Sequence, residues 1–436
     1  MLAKLFYIIF LFFLFGCSSN EEIDLSQYVS INDRVLNLNF LNDKNKNDSL
    51  LEDPITIKNI YNPESYQSVN ALVDLPLEKI WEIDTNQNVD DKNPLLPKPI
   101  FISSYIYLLN NNGHLFKISG KTGKIIQKNL IFPNLENTII GTPALSGKSS
   151  ENGNNILYLH NGFDELVAFN EISGNKIWRK KFSIPLRGGI TVIDNLLFLS
   201  DFDGNFYSIN NETGKINWTI FLTNDSTSVY TSARPILAGD KIIVSGTGGS
   251  FFIISKDSGE ILWTENISSN KNLPKLFHTG DIVANPIYDN DIIYVVSQSG
   301  ITTAFDINTS EEIWSVPVGG FETPSLSGDS LFVMGNMGLL IAIDVKTGDV
   351  RWQKQFPKYI NEESYFSDKE FILYKGPTLV NSHILLSKQN GEVTIIDANT
   401  GEDKSLILVN KLATSPIPAD KKVFFLTANG KLIAYK

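Results

Sequence analysis

Side chains with reactive or metal-binding potential are few in this chain and lie far apart. The four histidines, His114, His160, His278 and His383, are scattered, with no spacing that would bring two of them onto one metal. No nucleophile elbow accompanies them, so a Ser-His-Asp relay has no local signature. Acidic residues are abundant, 48 Asp and Glu against 37 Lys and Arg, but most follow turns, where a carboxylate caps or solvates the backbone. Asp306, Asp344 and Asp397 read this way, as hairpin residues and not as catalytic acids. A formal charge of −11 opposes binding to phosphate backbones, so nucleic acid is not an expected partner. The residues predict no enzyme activity, no cofactor and no metal.

The one thiol, Cys17, directly follows an apolar run of eleven residues, Leu5 to Phe15, that begins after Lys4. A positive residue followed by such a run has the form of a signal peptide. It is too short to cross a bilayer as a helix, which takes roughly 20 residues. An exported chain with a single cysteine cannot make an internal disulfide, so the thiol needs another use. Leu14-Phe15-Gly16-Cys17 resembles a bacterial lipobox. The resemblance implies that residues 1–16 are a signal peptide and that Cys17 is lipidated. Several acyl chains give stable membrane attachment. Ser18, in place of Asp, implies by the sorting rule of such lipoproteins an outer-membrane anchor facing the periplasm. Residues 17–70 then read as the lipidated cysteine and a flexible tether rich in Asn, Asp and Lys, with a short ordered piece at DRVLNLNFL.

The elements beyond the tether repeat. DGNFYSINNETGKINW, GITTAFDINTSEEIW and GLLIAIDVKTGDVRW share one plan. A turn residue recurs at Gly113, Asp164, Gly204, Gly249, Gly300, Gly338, Gly391 and Gly430. Trp178, Trp218, Trp263, Trp314 and Trp352 follow it at one fixed offset, and a proline usually precedes it at another. Each unit reads as four short strands. The proline opens the first, where its missing N–H is tolerated, and a Thr-Gly turn leads into the fourth, which carries the Trp. No sustained helical periodicity interrupts this pattern. A four-stranded meander repeated every 40–50 residues or so signals a β-propeller. Residues 71–436 are 366 in number, about 46 for each of eight units. The expected fold is therefore all-β, an eight-bladed propeller of four-stranded antiparallel blades with the tryptophans between blades. The eighth unit stops after its third strand. LEKIWEI, residues 77–83, has no unit of its own and carries Trp81 in a Lys-Ile-Trp string like that at Trp178. It is the expected missing strand, closing the ring from the N-terminal side.

Strand parity sorts the loops. With four antiparallel strands per blade, the connector from a fourth strand to the next first strand shares a rim with the second-to-third turns. The Thr-Gly turns lie on the other rim. The connectors vary most, so that rim is the expected binding surface. Two connectors stand out. KFSIPLRGGITV carries Ile184, Leu186 and Arg187, an arginine beside aliphatics expected to be exposed, as in an interface anchor. KLFHTGDIVANP carries Asp281.

Ala342, Asp344, Thr347, Gly348 and Trp352 fit the repeat A-x-D-x-x-T-G-x-x-x-W, so the units resemble those of quinone-dependent dehydrogenases. Those enzymes carry a vicinal cysteine pair beside the quinone, and this chain has no second cysteine. A lipobox, a tether and an eight-unit propeller of this type together resemble the BamB family of outer-membrane lipoproteins. That resemblance implies a non-enzymatic scaffold that assists insertion of β-barrel proteins. It would bind the POTRA domains of the barrel-inserting subunit through Ile184, Leu186, Arg187 and Asp281. Unfolded outer-membrane proteins are a further implied partner, met by strand addition. The alternatives are an envelope scaffold for another partner or a quinone-dependent dehydrogenase.

Overall fold

The computed structural model describes residues 38, 50–85, 97–133, 143–149, 155–222, 233–267, 282–360 and 371–436. Within them the strands form eight four-stranded antiparallel sheets, each in simple meander order. Seven are contiguous in sequence, beginning with Ile100–Ile102 in blade 1 and ending with Asp403–Leu408 in blade 7. The eighth combines Ile417–Ala419, Lys422–Leu426 and Lys431–Tyr435 with Lys79–Asp84. Trp81 pairs with Ala434, Ile83 with Leu432 and Asp84 with Lys431, so the N-terminal strand completes the last blade as the repeat count requires. The result is the eight-bladed propeller.

Burial follows strand position. Third strands such as Glu165–Asn170 and Leu339–Asp344 are almost wholly buried, because neighbouring blades cover both of their faces. They read accordingly as continuous apolar runs. Fourth strands such as Lys176–Lys181 alternate exposed and half-buried residues at the outer edge of the ring. The turn between them is held by the residue that ends the third strand. Asp306 Oδ1 accepts the backbone N–H of Asn308 at 2.8 Å and of Thr309 at 2.9 Å, and Asp397 does the same for Asn399 and Thr400. Asp344 accepts from Lys346 and Thr347 and also pairs with Arg351.

The tryptophans join blade to blade. Trp178, in blade 2, donates its indole N–H to the Asn211 carbonyl in blade 3 at 2.9 Å. Trp218 reaches Asp257, Trp314 reaches Val345 and Trp352 reaches Ala398 in the same way. Trp81 reaches Gly120, joining blade 8 to blade 1. Each ring lies on the turn glycine of the next blade. A Cβ on Gly259 would come within 2.7 Å of the Trp218 ring, and its φ of +76° also disfavours any side chain. Blade 5 is the exception that explains the rule. Its turn carries Ser310 at φ +64°, so a Cβ is present. The facing Trp263 makes no indole bond to that turn and instead stands edge-on to Phe251 and Phe305.

One sequence expectation is corrected. Residues up to 70 read as a tether, yet those from 50 onward pack on the ring. Ile55 bridges Ala71, Ala71 bridges Val380 and Val73 bridges Lys421. Ile60 and Tyr66 are buried in the core between blades 8 and 1. The contacts run to first-to-second-strand turns, so this segment lies across the Thr-Gly rim. It lacks periodicity because its partners come one at a time from different blades.

Candidate functional site

Two features could engage another molecule, the connector rim and the channel along the ring axis. On the rim, connector backbone is tied to the second-to-third turns as strand parity requires. Ile131 N–H donates to Gly113 O, Phe182 to Asp164, Leu222 to Gly204 and Phe356 to Gly338, all at 2.8 Å. Between blades 2 and 3, Phe182 packs edge-on to Tyr207 at 5.3 Å. The Phe202 N–H donates to Pro185 O, and the Leu186 N–H to Phe163 O. Ile184, Pro185 and Phe202 are half-buried.

Leu186 and Arg187 are not exposed there. Leu186 is fully buried and Arg187 is 5% exposed, its guanidinium 5.8 Å from the Phe202 ring centre. Taking Ile190 as the counterpart of the strand-opening proline sets the start of blade 3 too late. The first strand runs Leu186–Ile193 and carries both residues inside. A register shift between Arg187 and Thr191, with Gly188 at φ +74°, accommodates the extra length. His160, fully buried, fixes this bend. Its Nδ1 accepts the Gly162 N–H, so Nε2 carries the proton and donates to Gly188 O at 2.9 Å. Burial pulls the imidazole down to about 4, against the opposing bond to that carbonyl, so it is neutral at physiological pH. Asp281, His278 and Cys17 lie outside the described residues.

The channel holds charges that the motif reading did not single out. Residues just before the strand-opening prolines line it, because a residue preceding proline is held extended and each first strand faces the axis. These are Lys98, Arg234, Asn285, Thr323 and, beside them, Ser415. Glu64 enters from the N-terminal segment. It pairs with Lys98 of blade 1 and accepts hydrogen bonds from Asn285 of blade 5 at 2.7 Å and Thr323 of blade 6 at 2.9 Å. One side chain can touch blades so far apart only on the axis. Glu322 pairs with Lys375 at 2.9 Å and accepts from Ser415 at 2.8 Å. Burial pushes the Glu322 carboxyl up, but Lys375 and Lys98 outweigh it and hold it below its ordinary range. Above this plug is a cavity of about 660 Å³. Turn residues Gly335, Asn336, Gln389 and Ala428 border it, which puts its mouth on the connector rim. Among the described residues no cluster of His, Cys, Asp and Glu has the geometry of a metal site.

A family model described as outer membrane protein assembly factor BamB matches residues 134–354, just over half of the 436. The chain belongs to this family. The BamB of Yersinia pestis is 20% identical over 242 residues, covering 55% of this chain and 61% of that protein, so the chain spans under two thirds of that relative's length. The crystal structure of BamB from Moraxella catarrhalis superposes with a TM-score of 0.67 at 16% identity, covering 83% of this chain and all of that one. A europium-containing methanol dehydrogenase superposes at 0.62 with 12% identity, over 81% of this chain and 86% of that one. At such identities these likenesses show the fold, which BamB proteins share with quinone-type dehydrogenases.

Proposed function

We infer that this chain is a non-enzymatic scaffold of the outer-membrane β-barrel assembly machinery. It works in the periplasm, held to the outer membrane through lipidated Cys17. It holds the POTRA domains of the barrel-inserting subunit on its connector rim and so aids insertion of outer-membrane proteins. Membership of the BamB family supports the setting. One structural observation supports the choice of surface: the described N-terminal residues 50–73 lie across the Thr-Gly rim, and turns of the connector rim border the mouth of the channel cavity.

Burial divides the work where the connector between blades 2 and 3 meets the second-to-third turn of blade 3, which carries Phe202. Ile184 and Phe202 present contact surface, while Leu186 and Arg187 hold the strand beneath them and act as positioning residues. Asp281, outside the described residues, supplies acidic charge to the contact. Unfolded clients add to exposed fourth strands by backbone pairing. The test is co-purification of the barrel-inserting subunit from envelope membranes. Ile184→Glu and Phe202→Glu are expected to cut recovery about tenfold, the cost of one poorly matched anchor, with melting unchanged. Undiminished recovery with both variants would overturn the assignment of the rim.

A further inference from the structure

Among the described residues the channel cavity has an unbalanced charge. Its two described carboxylates are already engaged, Glu64 by Lys98, Asn285 and Thr323 and Glu322 by Lys375 and Ser415. Arg234 is left over. No described carboxylate lies within 4.0 Å of it, and its one side-chain hydrogen bond is a long one, 3.4 Å, from Nη1 to Thr191 Oγ1. Lys411, exposed beside the cavity, adds charge of the same sign. The Arg234 stem is fixed: a Cβ on Gly189 would come within 2.8 Å of it, so the glycine allows the close approach. Burial draws the guanidinium down to about 10, opposed by Glu64, which leaves it charged at neutral pH.

A second, independent observation concerns unsatisfied atoms. Arg234 Nε, Asn336 Oδ1 and Thr414 Oγ1 are buried without a hydrogen-bond partner, and all three residues line this one cavity. Buried polar atoms without partners are rare in folded proteins, and these three sit within the cavity wall, with almost no surface open to the cavity itself. Much of the remaining wall is apolar, with Leu145, Ile190, Met334 and Leu412 buried and Phe321 and Leu373 partly exposed. A volume of about 660 Å³ falls in the range of small-molecule sites.

We propose that this cavity binds a small amphipathic carboxylic acid. Its carboxylate lies on the Arg234 guanidinium and its apolar body on the aliphatic wall. A guanidinium recognises a carboxylate through paired N–H donors. The site opens on the same rim but uses other residues than the partner contact, and it does not depend on the partner assigned there.

The test uses the full chain and two probes of one shape, 6-hydroxy-2-naphthoate and the neutral 6-hydroxy-2-naphthamide, titrated by fluorescence and calorimetry. The carboxylate is expected to bind one saturable site at least about tenfold more tightly than the amide. Arg234→Gln is expected to bring the carboxylate down to the amide's affinity with melting unchanged. Equal affinities for the two probes, or no saturable binding of either below about 1 mM, which is roughly −4 kcal/mol, would overturn the proposal. The comparison of probes on the unaltered protein decides the matter even if the variant folds poorly. A well-folded Arg234→Gln that binds the carboxylate unchanged would also overturn it.

Discussion

The contact between a tryptophan and the next blade's turn glycine can be tested as a pair, and Trp218 with Gly259 is the cleanest choice. The Trp218 indole packs against the stacked pair Phe198 and Phe206, with ring centres 5.9 and 5.7 Å away, and donates to the Asp257 carbonyl at 3.0 Å. Replacing it with Ala removes a half-buried ring and one hydrogen bond, a loss of about 3 kcal/mol. Gly259→Ala carries two costs. A side chain at φ +76° costs about 1–2 kcal/mol. The new Cβ would lie 2.7–3.1 Å from ring atoms of Trp218, overpacking worth a further ~1–3 kcal/mol. Truncating Trp218 removes those ring atoms, so only the conformational cost remains in the double variant. The two changes together should therefore cost less than their sum by about 1–3 kcal/mol. Gly239→Ala is the control, with φ +63° and nothing within 4 Å, and should cost only the ~1–2 kcal/mol of backbone strain. Urea unfolding followed by circular dichroism measures all four variants, with equal m-values confirming a common transition. Additivity within about 0.5 kcal/mol, or a Gly259→Ala no costlier than the control, would refute the lock between blades.

Two more perturbations address the ring and its bend. The folded His160 titrates near 4, below the ordinary unfolded value of about 6.5. The unfolded chain thus binds more protons between those values. Stability is full above pH 6.5 and falls as pH drops toward 4, by about 2.5 kcal/mol at pH 4.5. His160→Gln should flatten the pH dependence of unfolding by that amount, and parallel curves for the two proteins would rule the histidine out as its source. Deleting residues 79–84 should leave Lys431–Tyr435 as an open edge. Light scattering should then find association, and a monodisperse monomer of unchanged melting temperature would contradict closure by this strand.

The ring was legible in the sequence because every blade carries its marks locally. The turn glycine, the Asp or Asn that caps the next turn and the tryptophan lie within a short span of each other, and each acts on its nearest neighbours. Even the closing strand betrayed itself through the Lys-Ile-Trp string at Trp81. The channel was not legible in this way. Glu64, Lys98, Arg234 and Glu322 sit in different units and meet only on the axis, so no local spacing joins them. One signal was available: Lys98, Arg234, Asn285, Thr323 and Ser415 each stand immediately before a strand-opening proline. Aligning the units on that proline would have gathered them in a single column. Arg187 was misjudged for the opposite reason. Blade 3 has Ile190 where most units have the proline, its first strand starts four residues earlier at Leu186, and a residue expected on the rim lies inside. Residues 50–73 escaped because docking onto several blades in turn leaves no period to detect.

Closure by the N-terminal strand also sets the order in which the molecule can be finished. Glu82 pairs with Lys431, 349 residues further on, and Tyr66 bonds to Pro416, 350 residues on. Contacts between such distant points in the chain form late, since a very long loop must close first. A polypeptide emerging from its amino end must keep residues 50–84 waiting until the last blade arrives. A chain cut short near its carboxyl end leaves both that ribbon and its intended berth without a match, so only full-length product can complete the circle.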